Sequence, residues 1–85
     1  MSEPRTLTVI ELNEWACLFD GDKLIDQGDS IPIDRIVRAA NGEPVRLARI
    51  AAYGSQFDRQ VSAAGDIAMD TKLSTILPLT KRGGR

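Results

Sequence analysis

Histidine is missing from all 85 residues. With it go the commonest general base, the usual activator of a serine or cysteine nucleophile, and the commonest metal ligand. Serine–histidine and cysteine–histidine catalysis are therefore excluded. A single cysteine, Cys17, allows no internal disulfide. It lies inside an apolar run with no histidine or basic neighbour to stabilise a thiolate, so it reads as a small buried hydrophobe. Aromatic residues are scarce: Trp15, Phe19, Tyr53 and Phe57 are all there are. The core must be built mostly from Ile, Leu, Val and Ala around these bulkier anchors. Long hydrophobic runs are missing too. The longest, Trp15-Ala-Cys-Leu-Phe19, falls far short of the roughly 20 residues that cross a bilayer. The start Met-Ser-Glu-Pro-Arg has neither the basic nor the apolar region of a signal peptide. The expected location is cytoplasmic, with no membrane partner.

What is present is ordinary globular material, 42% hydrophobic and 27% charged, which argues against disorder and fibrous repeats. A chain of this length forms one domain that buries only about 60 to 65% of the surface its unfolded form exposes. The net charge of −1 conceals a separation. Residues 1–30 hold seven acids and two bases, whereas residues 31–64 hold five arginines and three acids. Such polarity either steers a charged partner or is consumed by pairing within the fold.

The clearest local signal runs from Asp29 to Tyr53. Ile33, Ile36, Val37 and Ala40 share one helical face. Ser30 or Asp29 is placed to cap the start, Pro32 suits an early helical position, and Asn41-Gly42 supplies the left-handed end. These predict a helix from about Ile31 to Ala40. Before it, Leu7 to Leu12 is β-branched, Trp15 to Phe19 follows, and Asp20-Gly21-Asp22 turns the chain into Lys23 to Asp26. An antiparallel meander is expected, in preference to a helix from Thr8 to Phe19.

The pattern Thr8-Val-Ile-Glu-Leu12 with Ala16-Cys-Leu-Phe-Asp-Gly-Asp-Lys-Leu-Ile-Asp26 resembles the opening hairpin of actin-like and sugar-kinase-like ATPases, over about a quarter of the chain. In those families the intervening turn is small and bears glycine or threonine, so that its backbone approaches phosphate. Here it is Asn13-Glu14, bulky and negative, and too few residues remain for the rest of such a fold. The resemblance implies a shared hairpin shape and carries no inference of ATP binding.

Beyond Gly42, Val45 to Tyr53 has Leu47, Ile50 and Ala51 at helical spacing, and reads as a second short helix with strand as the alternative. Ser55 to Asp58 can cap a further helical turn through Val61 and Ala64 that stops at Gly65. From Ile67 to Leu79 the alternation of Leu73, Thr75, Leu77 and Leu79 predicts a late strand, confined by Pro78 to a sheet edge. Residues 1–6 are expected to be a flexible N-terminus, 7–79 a single globular domain and 80–85 a flexible basic tail. The fold class is α+β: an N-terminal antiparallel meander packed on one or two short helices, with a late edge strand.

No motif for chemistry appears. Asp20-Gly21-Asp22 with Asp26 and Asp29 lacks the spacing of a calcium loop, and no glycine loop for phosphate is present. Glu11 and Glu14 have no cleft to work in. No catalytic residue, cofactor or metal is expected. Two binding roles remain. In the first, the chain is a small non-catalytic intracellular module that adapts, occupies or inhibits a larger protein or complex. It would bind through a sheet edge or the helix bearing Arg35 and Arg38, with Trp15, Tyr53 or Phe57 as anchor. The alternative is a nucleic-acid-binding regulator using Arg35, Arg38, Arg46 and Arg49, on two successive helices that would form a helix-turn-helix. The acidic isoelectric point of about 5.3 favours the first. The candidate binding residues are thus Arg35, Arg38, Arg46, Arg49, Trp15 and Tyr53, and a homodimer is permitted.

Overall fold

The N-terminal third folds as the β-branched residues of its first strand and the Asp20-Gly21-Asp22 turn dictate. In the computed structural model, which describes residues 5–81, strands β1 (Arg5–Glu11), β2 (Ala16–Asp20) and β3 (Lys23–Gly28) form the antiparallel meander. Gly21 takes φ +60° between β2 and β3, the left-handed conformation that such a tight reversal requires. β1 takes in Arg5 and Thr6, which the sequence assigned to the loose N-terminus. Thr80, assigned to the tail, is buried and donates its hydroxyl to the Leu77 carbonyl. The remaining ends expected to be flexible, 1–4 and 82–85, lie outside the described residues.

Helix α1 (Ile33–Ala40) and the strand β4 (Val45–Ala51) follow. Asn41 closes α1 in the left-handed conformation, φ 54°. Its start differs from expectation. Pro32 is the cap residue, with no side-chain hydrogen bond from Ser30 or Asp29. The Pro32 carbonyl instead accepts from the Arg35 amide at 3.0 Å. The predicted helix at Val45 to Tyr53 is not formed. β4 pairs in parallel with β1 over its whole length, from Arg5↔Val45 to Glu11↔Ala51, so inter-strand hydrogen bonds outweigh the alanines' helical preference. The sheet is therefore mixed, in the order β3-β2-β1-β4, rather than purely antiparallel. β3, α1 and β4 make a parallel crossover unit across one face of the sheet.

The second helix lies further on. α2 (Gln56–Ala64) is capped by Ser55, whose hydroxyl accepts from the Asp58 amide at 3.1 Å, and it ends at Gly65 with φ 91°. The predicted late strand is also not formed. Residues 67–79 make a single bridge, Lys72 to Lys23, and then coil into the short helix α3 (Leu73–Ile76) and a 3₁₀ turn, Leu77–Leu79. Asp22 decides this outcome. Its carboxylate accepts from the Ser74 amide and hydroxyl at 2.6 and 3.1 Å, satisfying donors at the start of α3.

Strand alternation divides the core between the two faces of the sheet. Leu7, Val9, Ala16 and Leu18 face α1 and pack with Ile31 and Ile36. Ile10, Cys17 and Phe19 face the other way, against Phe57, Val61, Ile67 and Ile76. Cys17 is fully buried, and desolvation pushes its thiol up to about 12. Asp58, only 2% exposed, ties the far end of β4 to the meander. Its carboxylate accepts from the Gly54 amide (2.7 Å), the Asn13 side-chain amide (2.7 Å) and the Asn13 backbone amide (3.3 Å). Among the described residues no helix is long and apolar enough to cross a membrane.

Candidate binding surface at the open sheet edge

The two outer strands of the sheet are finished differently. β3 is covered along its outer side: the Leu73 amide donates to the Asp22 carbonyl at 3.0 Å, beside the Lys23–Lys72 bridge. At its other end, the Gln27 side chain accepts from the Ile67 amide at 2.8 Å and donates to the Ile67 carbonyl at 2.6 Å. β4 has β1 on one side and, among the described residues, no strand on the other.

Which groups β4 presents outward follows from its pairing. The Ala52 amide donates to the Glu11 carbonyl at 2.9 Å. In a parallel ladder each residue turns its amide and carbonyl to the same side, and successive residues alternate. Arg46, Ala48 and Ile50 therefore point their backbone groups at β1, while Val45, Leu47, Arg49 and Ala51 point theirs outward. Four donors and four acceptors are offered in a row, the arrangement that receives an added strand.

Apolar side chains lie beside this row. Ile36, Ala39 and Ala40 form the buried face of α1. Arg35 flanks that face toward β3, where it pairs with Asp26 at 3.2 Å. Ile33 and Val37 take the opposite flank, toward β4, and are 63% and 62% exposed. The sequence put both on one helical face with Ile36 and Ala40, but an eight-residue helix laid on a sheet buries a narrower stripe than its apolar residues span. Leu47 lies on the same face of β4 and is 45% exposed. It is the register partner of Leu7.

The six sequence-predicted residues are not gathered into one cluster. Arg35 is held by Asp26, and Arg49 by Glu11 at 3.1 Å. Arg38 and Arg46 are exposed and make no ion pair among the described residues. Arg46 and Arg49, three apart, fall on opposite faces of a strand. The helix-turn-helix geometry is lost with the second helix. Tyr53 stands just past the end of β4, and its hydroxyl donates to the second Glu11 oxygen at 3.2 Å. Desolvation, and then the Glu11 carboxylate, hold that hydroxyl above its ordinary pKa. Trp15 is a structural residue of the opposite face, half-buried against the core, with its indole N–H donated to Gln27. Phe57 is core. The sequence reading named a sheet edge for binding but did not place it at β4, and it missed the Ile33–Val37 flank, since both depend on how α1 and β4 are placed on the sheet.

A second concavity of about 450 Å³ lies between α2 and the 67–79 segment, lined by Phe57, Val61, Ala64, Ile67, Ile76 and Leu79. Its floor is the core of that face, and its rim mixes Asp66, Asp70 and Lys72. No family model, curated protein or solved structure matches this chain.

Proposed function

We propose that this chain is a small non-catalytic module that binds a larger protein or complex, receiving an extended segment of it along the outer side of β4. The observation that carries the reading is the contrast between the two sheet edges. β3 is covered by the chain's own C-terminal segment, whereas β4 offers a row of outward backbone groups next to exposed Leu47, Ile33 and Val37. Backbone hydrogen bonds would supply affinity in such a complex, and the apolar strip on the α1 side would supply selectivity. In this role the chain occupies, adapts or inhibits its partner stoichiometrically, in the cytoplasm.

The test is capture from a lysate with the wild-type chain and with Leu47→Asp. That exposed substitution puts a charge in the apolar strip and leaves the core untouched. Proteins retained by the wild type, resistant to nuclease and lost with Leu47→Asp are the expected result. Retention unchanged by the substitution would remove β4 from the mechanism. Loss of all retained species on nuclease treatment would transfer the function to nucleic acid and the arginines.

A further inference from the structure

We infer that the segment received by β4 is acidic, alternating apolar side chains on the α1 side with carboxylates on the other, one of them opposite Arg46. The inference rests on the strand-addition reading above. Residues of an added strand share a face with those they oppose. Whatever lies beside Leu47 therefore enters the apolar strip with Ile33 and Val37, and its neighbours in sequence emerge on the opposite face beside Arg46.

Charge then discriminates between occupants. Arg46 is exposed and has no ion-pair partner among the described residues. Arg49 lies on the α1 face with Leu47 and is already paired with Glu11, so Arg46 alone sets the charge preference of the opposite face. A second copy fits the hydrogen bonds: antiparallel self-pairing centred on Ala48 would overlap the full length of β4. It would, however, set the two Arg49 side chains diagonally across the seam on the α1 face, each with only its own Glu11 to offset it, and leave each Arg46 beside an Ile50 on the opposite face with no acid of β4 to meet it. Like charges on an edge strand resist self-association and select a partner of opposite sign. An acidic segment meets both requirements: it completes the backbone row and neutralises Arg46.

The experiment measures binding of labelled nine-residue peptides by fluorescence anisotropy at low salt. One peptide alternates valine with glutamate, and two others carry threonine or lysine in place of glutamate. Two more are the glutamate peptide N-methylated on alternate amides, one in each phase. The glutamate peptide is expected to bind more tightly than the threonine peptide by about 2- to 5-fold, with the lysine peptide weakest. Arg46→Ala should abolish the glutamate–threonine difference. One phase of methylation should eliminate binding and the other preserve it, because only alternate amides of an added strand face β4. Equal affinities for all three side-chain patterns, with the methylation effect intact, would overturn the acidic assignment and leave strand addition standing. Binding indifferent to methylation, or no binding by any peptide, would overturn both. Sedimentation of the protein alone supplies the remaining arm: a dimer dissociated by Leu47→Asp would make a second copy the occupant and overturn the inference.

Discussion

Asp58→Ala should be among the most damaging single substitutions in this chain. The carboxylate is buried and accepts three hydrogen bonds, two from Asn13 and one from the Gly54 amide. Hydrogen bonds to charged acceptors contribute about 1.5 to 3 kcal/mol each, and donors left without a partner inside the fold lose that amount or more. Asn13 and Gly54 are both exposed residues whose bonds to Asp58 are part-buried, so water replaces part of what each donor loses. The net cost comes to about 2 to 4 kcal/mol. For 85 residues total stability is about 4 to 13 kcal/mol, so this is a large fraction of it. At about 4 to 8 °C per kcal/mol for a domain of this size, the melting temperature should fall by about 8 to 30 °C. Urea unfolding followed by far-ultraviolet circular dichroism and by Trp15 fluorescence would measure it. Asn13→Ala should cost less, and the double mutant should cost less than the sum, because the two residues share hydrogen bonds. A loss below about 0.5 kcal/mol for Asp58→Ala, the level of an ordinary surface change, would refute the view that this carboxylate ties β4 to the meander.

The exposed flank of α1 and the buried thiol give two further tests. Ile36→Ala should destabilise by about 2 to 5 kcal/mol, whereas its neighbour Val37→Ala should stay within about 0.5 kcal/mol; similar losses in urea titrations would show that α1 is rotated on the sheet. Burial holds the Cys17 thiol near 12, while in the unfolded chain it titrates near its ordinary value. Between those values the unfolded state has released a proton that the folded state keeps, so stability contributed by the protonated thiol is lost as pH rises. The slope is about 1.4 kcal/mol per pH unit. Wild type should therefore lose stability between pH 9 and 12 more steeply than Cys17→Ala, and parallel curves would refute the assignment.

Local chemistry explains which parts of the fold were legible. Gly21 between the apolar run Ala16–Phe19 and Leu24-Ile25 specifies a hairpin, and Ser55 with Gly65 brackets α2, because these signals act within a few residues. β4 was not legible as a strand with certainty, since Val45 to Ala51 satisfies both periods and only its partner β1, remote in sequence, settles the matter. The 67–79 segment was misread for a similar reason. Alternation of its leucines suggested a strand, but Asp22, far away in the chain, caps a helical turn there. Of the candidate binding residues, sequence left open whether the four arginines face a partner or pair with the acidic N-terminal third; Arg35 and Arg49 pair with it, while Arg38 and Arg46 are exposed. The apolar strip was hidden altogether, because Ile33 and Val37 look like core until the helix is set down on the sheet.

The parallel pairing of β1 with β4 also sets an order of assembly. β1 meets β2 through a turn of four residues, but its other neighbour begins at Val45, opposite Arg5. Closing that span is entropically costly and slow compared with forming the two hairpins. The meander is thus available to form early, and β4 docks only by closing the long span that carries α1. On a ribosome, where the N-terminus emerges first, β1 waits with one side unpaired until the crossover has been synthesised. The strand at the open edge of the finished sheet is the one that seals β1 last.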